Sequence, residues 1–276
     1  MDFFEKNGNL ELCGVENFVL SETLDCGQAF RWRETEDGLW EGVAFGKYLK
    51  LGASDGKIVF YGTTKKDFDD LWADYFDFSR NYGEIITAIS ENEVLKTASS
   101  FACGIRILRQ DPWEALCSFI ISQNNNIPRI KGIVERLCDN FGERINESFC
   151  SFPSAEKVAS LTIDDLAVLR SGFRAKYILD AARKVASGEV DLEALKTLNT
   201  DDARAELMKI YGVGEKVADC TLLFGLSHAN AFPKDVWIKR AMAKLFDGQL
   251  PDCALPYAGI AQQYIFHYAR MTKLDI

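Results

Sequence analysis

Hydrophobic and polar positions alternate over residues 1–62, the period expected of strands with one buried face. The runs ENFVL, GQAFRWRE, LWEGVAF, KYLKLGA and KIVFYG are rich in aromatic and β-branched residues, and EDG and SDG separate some of them. Asp55-Gly56 is the best hairpin signal, because Asp-Gly suits a two-residue turn with positive φ. Phe30 and Trp32 are two apart and share one face, so their plain reading is sheet core.

From Lys65 onward the period lengthens to that of helices. FDDLWADYF, YGEIITAISEN and VLKTASSF are the first candidates. Asp111-Pro112 then starts DPWEALCSFIISQ with a cap residue followed by proline in the first turn. After Asn124-Asn125-Asn126 come IPRIKGIVERLCDNFG, SAEKVASL, TIDDLAVLR, AKYILDAARKVASG and TDDARAELMKI. Most open on an acidic or hydroxyl residue and close on a basic residue or glycine. VWIKRAMAKLF and PYAGIAQQYIFHYAR complete the pattern. The expected fold class is α+β: a small antiparallel β-sheet domain with a flanking helix (1–90), packed on a larger all-helical domain (91–276) with a helix-hairpin-helix near 203–226. There is no internal repeat.

Composition narrows the function classes. A chain of 276 residues that is 47% hydrophobic can bury a sizeable core. It has no apolar run long enough to span a membrane and no signal-like N-terminus, so a soluble protein of the cytoplasm is expected, or of the nucleus if the source is eukaryotic. The eight cysteines form no C-x-x-C pair and read as reduced. The net charge of −9 argues against a protein that coats DNA nonspecifically. Residues 104–136 and 207–240 nevertheless each carry five basic and three acidic side chains, a local excess of two.

The stretch 207–240 holds the candidate chemistry. Gly212-Val213-Gly214 breaks a helical run, and the helix restarts with Lys216 in its first turn. Two glycines before a helix expose backbone N–H groups, and the helix dipole adds partial positive charge, a ready site for phosphate. The spacing is not that of a nucleotide P-loop. A helix-hairpin-helix grip on DNA phosphate and an ordinary helix connection remain equally open on these residues alone. Lys216 is either a solvated lysine or an amine nucleophile. Asp219, one turn on, and Asp235, a plausible N-cap, are both available carboxylates, and spacing does not choose between them.

Six segments in order resemble the 8-oxoguanine DNA glycosylases of the helix-hairpin-helix superfamily: GQAFRW, LRQDPWEALCSFIISQNNNIPRIKGIVERLC, SGFRAKY, GVGEKVADC, FPKDVW and AGIAQQYIF. The resemblance implies a bifunctional glycosylase and lyase acting on double-stranded DNA that contains 8-oxoguanine. Lys216 is then the nucleophile, forming a Schiff base at C1′ of a flipped nucleotide, and Asp235 its electrostatic partner. Gly27 would offer its carbonyl to the N7–H of the oxidised base. Gln262 would bond the Watson–Crick edge, and Cys220 and Phe266 would sandwich the ring. Asn124 would fill the vacated space, Arg129 and Arg174 would bond the orphaned cytosine, and Phe173 would wedge the stack. Gly212, Gly214, Val217 and Trp237 would meet phosphates.

Two departures are visible. Phe173 stands where the family commonly has tyrosine, and Trp237 where eukaryotic members commonly have histidine, which gives the chain a prokaryotic look. No metal or cofactor is required by the resemblance, a structural monovalent cation in the hairpin being left open, and a monomer is expected. An endonuclease III-like enzyme needs four closely spaced cysteines for its iron–sulfur cluster, but only Cys253 follows Cys220. Alkylpurine glycosylases lack the nucleophilic lysine, and a non-catalytic binder needs neither Lys216 nor Asp235.

Overall fold

The computed structural model describes residues 1–273; the last three positions of the expected helical domain lie outside the described residues. Strands β1 (Asp2–Lys6), β2 (Asn9–Cys13), β3 (Trp32–Glu34), β4 (Trp40–Ala44), β5 (Lys47–Ser54) and β6 (Lys57–Tyr61) form one antiparallel sheet in the order β1-β2-β6-β5-β4-β3. Helix α1 (Leu20–Leu24) interrupts the strands. Helices α2 (Lys65–Asp67) and α3 (Ala73–Tyr75) are joined by a π-helical turn over Phe68–Trp72, and α4 (Tyr82–Ile89) and α5 (Glu93–Phe101) follow. Next come α6 (Pro112–Ser122), α7 (Ile127–Phe141), α8 (Ala155–Ala159), α9 (Arg174–Ala186) and α10 (Leu192–Leu195). The hairpin pair α11 (Thr200–Leu207) and α12 (Glu215–Gly225) precedes α13 (Val236–Leu245) and α14 (Ala258–Met271).

The chain forms two compact units, each discontinuous in sequence. The first comprises Met1–Gln28, Leu51–Arg109 and the residues from His228 onward; the second comprises Ala29–Lys50 and Gln110–Ser227. The boundary falls inside β5.

In the first unit, β2 pairs with β1 and β6, setting Leu10 opposite Phe60 and Leu12 opposite Ile58. Leu10, Leu12 and Phe60 are wholly buried, and the Phe60 ring meets Phe68 and Phe76 edge to face, the Phe68 ring at 5.3 Å. ENFVL, expected as a strand, leads instead into α1: Asn17 takes a left-handed φ of +52°, and Val19 caps the helix while its N–H donates to the Gly104 carbonyl at 3.0 Å. The first hairpin lies earlier, where Asn7 and Gly8 adopt φ of +53° and +76° between β1 and β2. Asp55 and Gly56 take +51° and +73°, as their dipeptide predicts. Buried Asp77 anchors this unit, its carboxylate accepting from Tyr82 Oη, Arg80 and Arg109.

The second unit is built around α6, whose residues from Pro112 to Ile121 are almost all buried. The expected cap is present: Asp111 accepts from the Glu114 N–H at 2.8 Å, with Pro112 in the first turn. Phe119 of α6 stacks on Phe224 of α12, centroids 5.3 Å apart and planes within 21°. Trp32 is 1% exposed, and Phe30 meets Phe119 edge to face, so both serve the core as their alternation implies.

Candidate active site

The predicted site residues divide between the two units. The second unit holds the hairpin, Lys216, Cys220, Asn124, Arg129, Phe173 and Arg174. The first holds Gly27, Asp235, Trp237, Gln262 and Phe266.

The hairpin forms where the glycines put it. Gly212 turns the chain at φ +83°, and a Cβ there would lie 2.4 Å from the Tyr177 ring of α9, so only glycine fits both the dihedral and the space. The turn is braced by the Tyr211 N–H donating to Asp180 at 2.7 Å and by Lys184 donating to the Lys209 carbonyl. Gly214 is the N-cap of α12 and offers no side-chain cap, so the first-turn N–H groups of Glu215, Lys216 and Val217 lack a capping oxygen from that residue. The Val217 side chain is buried in the core, so only its backbone could face a ligand.

Lys216 is half-buried at the start of α12. Its Nζ donates to Ser122 Oγ of α6 at 2.8 Å and lies 5.4 Å from the centre of the Phe119 ring. Cys220 is buried one helical turn further on. Asp219, the nearer carboxylate, accepts from Arg204 Nε at 2.6 Å and so ties α12 back to α11.

The second group sits at the start of α7 and α9. Asn124 is exposed in a left-handed conformation, φ +47°, while Asn126 caps α7 by accepting from the Arg129 N–H. Arg174 is 3% exposed. Its guanidinium donates to the carbonyls of Gln123, Asn124 and Ser171 and lies 4.4 Å from the Phe173 ring. Burial, and secondarily the charge of Arg129, lower its pKa below the ordinary arginine value. Arg129 itself is exposed, as is Phe173 at 48%. Of the two arginines assigned to the orphaned base, then, one is presented to solvent and the other holds the Asn124 turn.

In the first unit, Gly27 has φ +94°, a conformation that favours glycine. Its neighbours are pinned: the Gln28 amide donates to the Thr23 and Arg106 carbonyls at 2.8 Å each and accepts from the Leu108 N–H, while Gln263 donates to the Cys26 carbonyl. Burial pushes the Cys26 thiol up to about 11, so it stays neutral. Gln262 and Phe266 are one turn apart on α14. The Gln262 amide nitrogen donates to the Pro233 carbonyl at 3.2 Å, and its Oε1 is buried with no partner among the described residues. Asp235, two residues after Pro233, caps α13 by accepting from the Ile238 N–H at 2.7 Å. Trp237 lies on the first turn of that helix, 36% exposed.

Three residues that touch or flank the predicted site residues carry little signal in the sequence. Ser122 and Phe119 belong to an apolar helix and carry no local signal of a partner in α12. Gln28 stands in the GQAFRW run, where an amide between a glycine and the apolar Ala29-Phe30 is its local signal. Among the described residues, no group of three or more His, Cys, Asp or Glu side chains is placed to hold a metal ion, and no helix is long and apolar enough to cross a membrane.

Residues 12–116 match the 8-oxoguanine DNA glycosylase N-terminal domain, and residues 117–249 match the HhH-GPD superfamily of base excision DNA repair proteins. A probable N-glycosylase/DNA lyase of Methanothermobacter thermautotrophicus is 32% identical, covering 94% of this chain and 96% of that protein. The N-glycosylase/DNA lyase of Saccharomyces cerevisiae is 41% identical over 50% of this chain, which spans only 40% of the yeast protein. The 8-oxoguanine glycosylase/lyase of Clostridium acetobutylicum, solved with double-stranded DNA containing cytosine opposite 8-oxoG, is 39% identical, with a TM-score of 0.92 over 99% of both chains. The chain belongs to the 8-oxoguanine DNA glycosylase family of the HhH-GPD superfamily, a family of base-excision DNA repair enzymes with N-glycosylase and DNA lyase activity.

Proposed function

We propose that this chain excises 8-oxoguanine from duplex DNA, preferentially opposite cytosine, and then cuts the strand through a Schiff base on Lys216. The observation that carries the reading is the hairpin itself: a lysine in the first turn of a glycine-capped helix, its amine held by a neighbouring helix rather than extended into solvent. The Clostridium relative's DNA complex supports a duplex partner, which a monomer would engage.

In this mechanism the nucleotide is flipped out, because C1′ cannot be reached inside the stack. The Lys216 amine bonds to C1′ as the glycosidic bond breaks, and the electron pair leaves with the base. The amine gives up a proton to the departing base, and the sugar ring opens with O4′ taking a proton from water to leave the protonated imine. Water then removes a C2′ proton, and the C3′–O bond breaks with its electron pair leaving on the 3′ phosphate. Asp235 stabilises positive charge on the sugar.

The unpartnered Gln262 Oε1 is a buried acceptor suited to an N–H on the Watson–Crick edge of the base. Gly27 accepts from N7–H, a donor that guanine lacks, and Cys220 and Phe266 flank the ring. Asn124 fills the gap, Phe173 wedges, and Arg129 and Arg174 bond the orphaned cytosine. First-turn N–H groups around Gly212, Gly214 and Val217, with Trp237 on α13, bind phosphates. The test is strand cleavage on duplexes pairing 8-oxoguanine with C, A, G and T, beside duplexes carrying oxidised pyrimidines. Preferred cutting of the 8-oxoguanine·C duplex supports the reading, and preferred cutting of an oxidised pyrimidine contradicts it.

A further inference from the structure

We infer that Ser122 is a positioning residue for the Lys216 amine, an inference that rests on the reading of Lys216 as nucleophile. The two side chains belong to different helices, 94 residues apart in sequence, and meet at 2.8 Å. The polarity of the contact is set locally. Ser122 Oγ donates its own proton to the Phe119 carbonyl at 2.8 Å, the back-bond usual for a serine near a helix end. With that proton committed, the hydroxyl faces Lys216 with lone pairs only and must accept. The lysine therefore sits against a fixed acceptor on one side.

Phe119 supplies the second constraint. The same residue whose carbonyl orients Ser122 places its ring 5.4 Å from Nζ. That ring stacks on Phe224 and meets Phe30 edge to face, so it is a rigid wall. A lysine on an exposed helix end ordinarily samples many rotamers, and ordering it costs entropy. Here one hydrogen bond donated to Ser122 and one aromatic wall restrict it before any substrate arrives, the preorganisation that a near-attack geometry requires. The helical context of Ser122 accounts for its own back-bond and leaves the Lys216 contact to be explained.

The experiment compares the wild type with Ser122→Ala and Ser122→Thr in single-turnover reactions on an 8-oxoguanine·C duplex. The readouts are the rate of borohydride-trapped adduct formation, the half-saturating protein concentration, and thermal unfolding. Loss of the hydrogen bond and of the fixed geometry is expected to slow Ser122→Ala by about tenfold to a hundredfold, with half-saturation changed less than about twofold. Ser122→Thr, which keeps the hydroxyl, should recover to within about threefold of the wild type. An alanine variant that reacts as fast as the wild type overturns the inference. So does one that loses DNA affinity in step with rate, or a folded threonine variant that does not recover. A wild type that forms no adduct at all overturns the proposed function itself, a different result from any of these.

Discussion

The Gln262 amide donates to the Pro233 carbonyl at 3.2 Å, and this bond leaves the buried Oε1 of the same side chain without a partner among the described residues. An acceptor left unpaired in the interior costs about 1–3 kcal/mol. The free protein therefore carries a polar deficit that a donor on a bound base would remove. Gln262→Met keeps the volume while deleting both polar atoms. The variant should unfold within about 1 kcal/mol of the wild type, because a lost hydrogen bond and a removed orphan oppose each other. Excision should fall about tenfold or more, and undiminished excision would remove Gln262 from the base pocket.

The two hairpin glycines should behave differently. At Gly212 an added Cβ meets the Tyr177 ring at 2.4 Å with φ at +83°, whereas at Gly214 it meets nothing within 4 Å. Gly212→Ala is expected to lower the unfolding free energy by about 1–3 kcal/mol and Gly214→Ala by no more than about 1 kcal/mol. Urea denaturation distinguishes them; equal losses would contradict the description of the turn.

Asp235 caps α13 through a side-chain oxygen, a role that asparagine fills equally well. Asp235→Asn should therefore keep the fold and DNA affinity while slowing base release by about a hundredfold or more through loss of the negative charge. A comparable loss of affinity and rate would mark Asp235 as mainly a structural cap.

Arg129 and Arg174 separate by burial. Arg129→Ala, at an exposed position, should change stability by less than about 0.5 kcal/mol and weaken the preference for cytosine. Arg174→Ala strips donors from the carbonyls of Gln123, Asn124 and Ser171, and should cost about 2–3 kcal/mol in unfolding free energy. An unchanged opposite-base profile in Arg129→Ala would exclude it from reading the orphaned base.

Glu114 confers a pH dependence on the fold. Burial pushes its carboxyl from an ordinary 4.5 up to about 7, against the pull of Arg31 Nη1 at 3.4 Å. The folded chain then retains a proton that the unfolded chain releases. Stability tied to this group is fully present below about 4.5 and is lost as pH rises through about 7. Relative to Glu114→Gln, the wild type should lose on the order of 3 kcal/mol between about pH 5 and about pH 8. A difference that stays flat or grows with pH would show that Arg31 keeps Glu114 ionised.

Much of the architecture was legible in the residues. Asp111-Pro112, Asp55-Gly56 and the cap at Asp235 act through neighbours in sequence, and each forms the local structure its chemistry implies. Asn7-Gly8 was equally legible and marks the hairpin that the apolar run ENFVL obscured, since alternation over five residues does not distinguish a strand from the lead-in to a short helix. The glycines and Lys216 stood out by spacing, but the choice of Asp235 over Asp219 came from resemblance; in the structure Asp219 is held by Arg204. The burial of Arg174 and the contact of Ser122 with Lys216 depend on helices that meet in space, which periodicity does not encode.

Lys216, as the nucleophile, should carry the covalent bond to the sugar. The direct measurement is borohydride reduction of the protein on 8-oxoguanine·C DNA, followed by proteolysis and mass mapping of the adduct, for the wild type and Lys216→Gln. A covalent adduct on Lys216 is expected in the wild type and none in the variant. An adduct that persists in Lys216→Gln, or one mapped to another amine in the wild type, would contradict it.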